Sequence, residues 1–156
     1  MTFQPQPRPA SPPSAKDFRL RKHVDYQRVY QAARKQFSSS MTFFAALRAG
    51  MEPSAASIRL ELPRVGLTVG KVIGKAHERN RIKRRLREII RQHLSELPCD
   101  VDLILHPRRS VITMESAKLQ SEVLRIFRQV ATQMRQPAPT NPVRLVKRAS
   151  QDTTAV

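Results

Sequence analysis

The sequence has no tryptophan, one cysteine and only 5% aromatic residues. A single Cys99 can form neither an internal disulfide nor a cysteine-based zinc site, because both need further thiols. The low cysteine count is typical of a reducing compartment, so we expect a cytoplasmic location. The scarcity of aromatic residues argues against a large aromatic cage or a sugar-binding platform.

Long apolar runs are missing as well. Even the segment 41–47 is far shorter than the about 20 residues that a transmembrane helix needs. The opening MTFQPQPRPASPPS contains no apolar core of the signal-peptide kind. We therefore expect neither a membrane partner nor a targeting segment.

Acidic residues are scarce relative to basic ones. The chain has 12 Asp and Glu against 29 Lys and Arg, which leaves a formal net charge of +17 over 156 residues. Segment 71–91 alone has nine basic residues and two acidic ones. Such a concentration of positive charge predicts a polyanionic partner bound by a folded element.

Composition divides the chain into three parts. Residues 1–17 contain five of the twelve prolines, and residues 136–156 combine three more with a small basic cluster. Segments of this kind bury too little apolar surface to offset the entropy of an ordered chain. We expect a disordered Pro-rich tail at 1–17, one folded domain at 18–135, and a disordered basic tail at 136–156.

Apolar spacing predicts the elements of the folded domain. The alternating order of these elements predicts one α/β layer pair without an internal repeat. We expect, in chain order, a helix at 24–35, a strand at 38–48, a loop at 49–57, a strand at 64–71 with 58–62 as an extension or edge piece, a helix at 76–95, a strand at 101–105, and a third helix capped by Thr113. The apolar stripe expected on the third helix comprises Leu119, Val123, Ile126, Phe127, Val130 and Met134.

The helix at 76–95 has an apolar side and a basic side on a helical wheel. Guanidinium groups grip phosphate with two bonds at once, and few acids are available to neutralise them. This pattern favours nucleic-acid contact over an ordinary solvated face. The apolar side comprises Ile82, Leu86, Ile89, Ile90, His93 and Leu97, and the basic side Asn80, Arg84, Arg87 and Arg91 with Arg81 and Arg85 flanking them.

No catalytic or metal centre can be assembled from the sequence. Gly70, Gly74 and Lys75 lack the spacing of a phosphate-binding loop, and the segment from His77 lacks the second histidine of a zinc protease. Asp100 and Asp102 have a spacing that would let them share an ion, but solvated acids at the start of a strand are the favoured interpretation. We expect no catalytic residue and no metal ligand in this chain.

Two tyrosines one helical turn apart offer a second candidate surface. Tyr26 and Tyr30 fit simple packing on a sheet, which the pattern alone favours. They also fit a half-open cleft in which a ring stacks on an unpaired base. Phe44 is a further candidate, although either face of its strand suits the core.

Three successive motifs closely resemble the bacterial ribonuclease P protein component. They are RVGLTV at 64–69, GKVIGKA at 70–76 and RNRIKR at 79–84. Segments 19–30 and 102–105, and the helix at 115–134, are similar to the flanking parts of that family, so the likeness covers about 18–135.

The resemblance implies a ribonucleoprotein endoribonuclease that removes the 5′ leader from precursor tRNA. It also implies a catalytic RNA subunit that holds Mg²⁺ and a protein subunit that binds this RNA and the leader. No obligatory protein partner is evident from the sequence. The implied fold is an α+β two-layer sandwich with a mixed sheet of about four strands and a left-handed βαβ crossover.

The resemblance and the charge pattern together select the candidate site residues. The RNA-binding set is Lys71, Lys75, Arg79, Asn80, Arg81, Lys83, Arg84, Arg87 and Arg91, and the leader cleft is Tyr26, Tyr30 and Phe44. A ribosomal RNA-binding protein is the main alternative, since it shares the size and charge. A DNA-binding regulator that places helix 76–95 in a groove is less favoured, because strands flank this helix on both sides.

Overall fold

The computed structural model describes residues 13–48 and 62–135. These residues form three helices and a four-stranded sheet, with three short 3₁₀ turns between them. In chain order the elements are α1 (His23–Ala32), β1 (Gln36–Phe37), β2 (Met41–Leu47), β3 (Arg64–Leu67), α2 (Ala76–His93), β4 (Val101–Pro107) and α3 (Ser116–Arg135); the 3₁₀ turns are Lys71–Ile73, Leu94–Glu96 and Arg109–Ile112.

The sheet is mixed, with strand order β1-β2-β4-β3. β2 runs antiparallel to β4 along its whole length, from Met41 opposite Pro107 to Leu47 opposite Val101. β3 runs parallel to β4, and α2 connects the two. The α+β class, the mixed sheet and a βαβ crossover are therefore confirmed, whereas the left hand of the crossover stays a prediction.

The sheet separates two apolar clusters. One face carries Met41 and Phe43 of β2 with Val101, Leu103 and Leu105 of β4, and it packs against α2 and α3 in the main core. The other face carries Ala46 and Ile104, which pack beneath α1 with Leu20 and Val29. Both faces of β2 thus contribute to an apolar cluster, because α1 covers the side of the sheet that does not face the larger core.

The helices bury the stripes that their sequences predicted. On α2 the side chains of Ile82, Leu86, Ile89 and Ile90 are buried. On α3 the stripe from Leu119 to Val130 is buried, and Met134 packs at its margin. This burial confirms the orientation of α2, with its basic side away from the sheet.

The structure also corrects several boundaries: α1 ends at Ala32 rather than at 35, β2 spans Met41–Leu47 rather than 38–48, and β3 ends at Leu67 rather than at 71. Thr113 does not cap the third helix, because α3 begins at Ser116. Thr113 instead follows the 3₁₀ turn Arg109–Ile112. The buried Val111 anchors that turn in the core, so the chain bends there before the helix starts.

Other predicted segments lie partly outside the described residues. The loop at 49–57 lies wholly outside them, and so do residues 58–61 of the extension at 58–62. Residues 1–12 and 136–156 of the two tails lie outside them as well. Residues 13–17 are described, and they form a turn closed by a hydrogen bond from Asp17 N to Ser14 O of 2.9 Å. Within 13–48 and 62–135, no helix is long and apolar enough to cross a membrane.

Candidate nucleic-acid interface

The basic side of α2 forms the first candidate surface. The helix starts where the Glu78 carboxylate accepts the backbone N–H of Lys75 at 2.7 Å, which satisfies one of the free amides of the first turn. Burial of the apolar stripe then points the opposite side outwards. Asn80, Arg81, Arg84, Lys71 and Lys75 are exposed, and Arg79, Lys83, Arg87 and Arg91 are half-buried.

Two arginines of α2 make contacts within the protein. Arg91 pairs with Glu88 at 2.7 Å on the surface, where such pairs contribute little. Arg85 donates to the carbonyl oxygens of Met114 at 2.5 Å and Val111 at 3.2 Å, so it ties α2 to the segment before α3. Arg85 is therefore structural, whereas Arg84 extends into solvent.

A small pocket joins α2 to α1 and β3. It has a volume of about 40 Å³ and is lined by Lys83 and Arg87 of α2 together with Arg19, Tyr26 and Val65. Burial and the nearby charge of Arg19 lower the pKa of Arg87. Arg19 thus adds a cation to the α2 surface, and the pocket brings this surface next to the predicted cleft.

The aromatic cluster, defined as Tyr30, Phe44 and His106, forms the second candidate surface. The Tyr30 and Phe44 rings meet edge to face with centroids 4.9 Å apart, and His106 lies 5.8 Å and 5.5 Å from them. The Tyr30 hydroxyl and His106 Nε2 are hydrogen-bonded at 2.8 Å. Phe44 is thereby placed on the α1 side of the sheet, which resolves the choice that the sequence left open.

Tyr26 sits beside this cluster but is bound more closely to the scaffold. Its ring centroid lies 6.4 Å from that of Tyr30, and its hydroxyl donates to Leu20 O at 3.3 Å. A Cβ at Gly66 would lie only 2.5 Å from the Tyr26 hydroxyl oxygen. Gly66 therefore lets Tyr26 lie directly on β3, and Tyr26 has a packing role as well as a place in the predicted cleft.

His106 is a site residue that sequence reasoning missed. Burial, and to a lesser degree the charge of Lys35, lower the pKa of His106, so the imidazole is neutral at pH 7. The signal was the alternation along β4, which places residues 102, 104 and 106 on one face. That face became identifiable only through the pairing of Phe44 with Ile104 and of Thr42 with His106.

Asp102 is not a solvated acid, contrary to the prediction. Its side chain is fully buried and binds the guanidinium groups of Arg28, Arg64 at 2.6 Å and Arg48 at 3.2 Å. The hydrogen bond from Arg64 to Asp102 also raises the pKa of Arg64. Parallel pairing puts Arg64 opposite Asp102, so the network links α1, β3 and the residue that follows β2 to the central strand. Asp100, by contrast, is exposed as predicted.

The described residues do not assemble a metal site. Across 13–48 and 62–135, no three His, Cys, Asp or Glu side chains lie together in a way that would hold an ion. The two buried carboxylates, Asp102 and Glu122, are occupied by arginines and by serines. The prediction that Mg²⁺ is held mainly by an RNA subunit stays a prediction.

A family model described as Ribonuclease P matches residues 15–131, three quarters of the chain. The chain belongs to the ribonuclease P protein family. The protein component from Oleidesulfovibrio alaskensis is 32% identical over 120 residues, which cover 74% of this chain and 88% of the relative. The protein component from Mycobacterium avium is 34% identical over 122 residues, which cover 70% of this chain and 98% of the relative.

Solved structures show the same fold. A mutant ribonuclease P protein of Staphylococcus aureus superposes with a TM-score of 0.60 at 24% identity, over 73% of this chain and 88% of that one. The ribonuclease P protein of Thermotoga maritima superposes with a TM-score of 0.59 at 20% identity, and the match covers 71% of this chain and 96% of that one. The family recognised from the motifs is confirmed, and membership makes the chain a component of a bacterial ribonuclease P ribonucleoprotein that processes tRNA.

Proposed function

We propose that this ribonuclease P protein binds the catalytic RNA through α2 and holds the 5′ leader of precursor tRNA against the aromatic cluster, promoting endonucleolytic 5′ maturation. One observation carries the proposal most directly. The pocket lined by Arg87 and Tyr26 brings the basic surface next to Tyr26, whose ring centroid lies 6.4 Å from that of Tyr30 in the aromatic cluster. A single precursor tRNA can therefore contact both surfaces while it remains bound to the catalytic RNA.

The two surfaces suit different parts of RNA. Exposed Arg81 and Arg84 neutralise phosphates and release counterions, which gives affinity without reading sequence. The rings of Tyr30 and Phe44 suit unpaired bases, whose stacking on aromatic side chains is worth about 1–3 kcal/mol each in single-strand binders. A leader is single-stranded, so the cleft discriminates it from the folded body of tRNA.

The proposal divides the work between two macromolecules. The protein supplies charge, shape and orientation, and the RNA subunit supplies the phosphodiester chemistry together with its Mg²⁺ ions. In this division no side chain of the protein touches the scissile bond. Its contribution is tighter substrate binding and a lower requirement for magnesium.

Reconstitution at low magnesium tests the proposal. The full-length protein is added to a bacterial ribonuclease P RNA, and cleavage of precursor tRNA is timed against RNA alone. We expect faster release of the 5′ leader at the correct position. No acceleration, together with stable retention of the protein in ribosomal subunits, would instead support a ribosomal RNA-binding role.

A further inference from the structure

Phe37 is a large apolar side chain that the fold leaves open to solvent. It lies on the edge strand β1, and 61% of it is exposed. Two cations stand over its ring, with Lys35 Nζ at 5.5 Å and Arg108 Cζ at 5.8 Å from the centroid. Such contacts contribute only about 0.5–1 kcal/mol at exposed sites, so they do not explain why so large an apolar ring is left open to solvent.

The strand register puts Phe37 on the same face as the aromatic cluster. Phe37 pairs with Thr42, and Thr42 pairs with His106 on the next strand. Residues directly opposite one another in a sheet point to the same side. At a strand spacing of about 4.8 Å, Phe37 lies about 10 Å from His106 along this row.

The hairpin that carries Phe37 is firmly attached to α3. The buried Glu122 carboxylate accepts hydrogen bonds from the hydroxyl groups of Ser38 and Ser39, and from the backbone N–H of Ser40 at 2.7 Å. Gln36 exchanges amide hydrogen bonds with Gln133 at 2.8 Å and 2.9 Å. A two-residue strand has little stability of its own, so these contacts hold the ring of Phe37 in place before any ligand arrives.

One cation of the pair is fixed by the same hairpin. The backbone N–H of Arg108 donates to Ser40 O at 2.8 Å, which places this arginine beside Phe37 directly after β4. Lys35 precedes β1 and is close enough to His106 to influence its pKa. An open ring and two cations on a rigid hairpin are the components of a site that stacks a base and neutralises the neighbouring phosphates.

We propose that Phe37, Lys35 and Arg108 form a stacking subsite for one unpaired base of the leader, beyond the aromatic cluster. The proposal rests on the proposed function. The pocket that joins α2 to the cleft lies at β3, and β1 is the opposite edge of the sheet. A strand that leaves the RNA on α2 crosses β4 and β2 before it reaches β1. Phe37 therefore takes a nucleotide farther from the cleavage site than the nucleotides at Tyr30 and Phe44.

Leader truncation tests the subsite. Holoenzyme is reconstituted from the full chain and a bacterial ribonuclease P RNA, and its Kd is measured for precursor tRNAs whose leaders are shortened one nucleotide at a time. We expect Phe37→Ala to weaken binding of the longest leader at least about fivefold, the lower limit for loss of one stacked base. Below a threshold length the variant and the wild type should bind equally.

Control variants separate stacking from folding. Phe37→Tyr retains the ring and should bind every leader like the wild type. Leu47→Ala removes another exposed apolar side chain, 43% exposed at the far end of β2, and should leave the leader-length profile unchanged. A Phe37→Ala defect that Phe37→Tyr does not restore would overturn the subsite.

The remaining outcomes distinguish the two proposals. If the wild type gains affinity with leader length and Phe37→Ala follows the same curve, the subsite is wrong while the proposed function stands. An equal loss for mature tRNA would likewise place the contact of Phe37 outside the leader. If the wild type itself shows no dependence on the leader, the proposed function fails first.

Discussion

At the scale of single residues, the burial of Asp102 shows how one carboxylate organises several elements. It is fully buried, and its arginine partners Arg28 and Arg64 retain 35% and 25% of their side-chain exposure. A buried charge is tolerable only when opposite charges and hydrogen bonds replace its water. Asp102 therefore fixes α1 over β4, and with it the position of Tyr30 in the cleft.

Asp102→Asn should destabilise the protein by about 3 kcal/mol, because it removes the charge that balances a set of partly buried arginines. Urea denaturation monitored by circular dichroism measures the change. Asp100→Asn is the matched control, since the same chemical change two residues earlier affects an exposed acid. Equal stabilities for the two variants would mean that the network contributes nothing.

At the scale of elements, α2 has distinct roles on its different sides. Its stripe from Ile82 to Ile90 is buried in the core, Arg85 binds backbone carbonyls, and Arg84 is free in solvent. Adjacent arginines thus have opposite tasks, because a step of one residue turns the side chain by about 100° around the helix. Only the outer side is therefore available for the RNA contact that we propose.

The double variant Arg84→Ala with Arg87→Ala should weaken binding to the catalytic RNA and flatten its salt dependence. The slope of log K against log salt should fall by about 0.7–0.9 for each phosphate that the variant no longer neutralises. Arg125→Ala with Arg128→Ala is the matched control, since it removes two exposed arginines with the same spacing from α3. An unchanged slope in the α2 variant would place those side chains outside the interface.

The contact between α3 and the β1–β2 hairpin depends on ionised Glu122. Burial raises its pKa, but hydrogen bonds from Ser38, Ser39 and Ser40 outweigh this effect and lower the pKa below its ordinary 4.5. A carboxyl whose pKa is lower in the folded state stabilises the fold above its ordinary pKa. That stabilisation is lost as the pH falls through the folded pKa.

Glu122→Gln should therefore lower the free energy of unfolding by about 1–3 kcal/mol at pH 7, the range for a buried hydrogen-bonded group left incompletely satisfied. The difference from the wild type should shrink as the pH falls below 4.5. Chemical denaturation at several pH values gives this comparison. Glu115→Gln, at an exposed acid just before α3, should show no such trend.

The features that the sequence predicts correctly depend on residues close together in the chain. The stripes of α2 and α3 repeat at helical spacing, so their buried sides were predicted correctly. The environments of Asp102 and His106 depend instead on which strands lie next to β4, and the pairing with β2 joins residues about sixty positions apart. No local pattern distinguishes Asp102 from Asp100, and only the sheet order makes one a buried anchor.

At the scale of the whole molecule, acidic and basic side chains differ in their exposure to solvent. Within the described residues, the buried acids Asp102 and Glu122 are bound by other parts of the chain, while many arginines remain in solvent. The chain has a formal net charge of +17, and the exposed arginines among the described residues are available to a polyanion. This distribution of charge supports the proposal that the protein binds RNA and that the RNA subunit performs the cleavage.

We therefore expect the protein without its RNA subunit to leave precursor tRNA intact, even with abundant Mg²⁺. Gel analysis of 5′-labelled substrate after long incubation measures this. The complete holoenzyme serves as the positive control in the same buffer. Specific 5′ cleavage by the purified chain alone would overturn the division of work between protein and RNA.

The central position of β4 has a consequence for synthesis of the chain. β2 and β3 are not neighbours in the sheet, and both pair with β4, which comes after them in the sequence. On the ribosome, β2 and β3 therefore lack their pairing with β4 until residue 107 has left the exit tunnel, and β2 can pair only with the two-residue β1. Until then the apolar side of α2 has no complete sheet to pack against. The nascent chain therefore exposes apolar and basic surfaces at the same time, which makes it vulnerable to premature binding by ribosomal RNA.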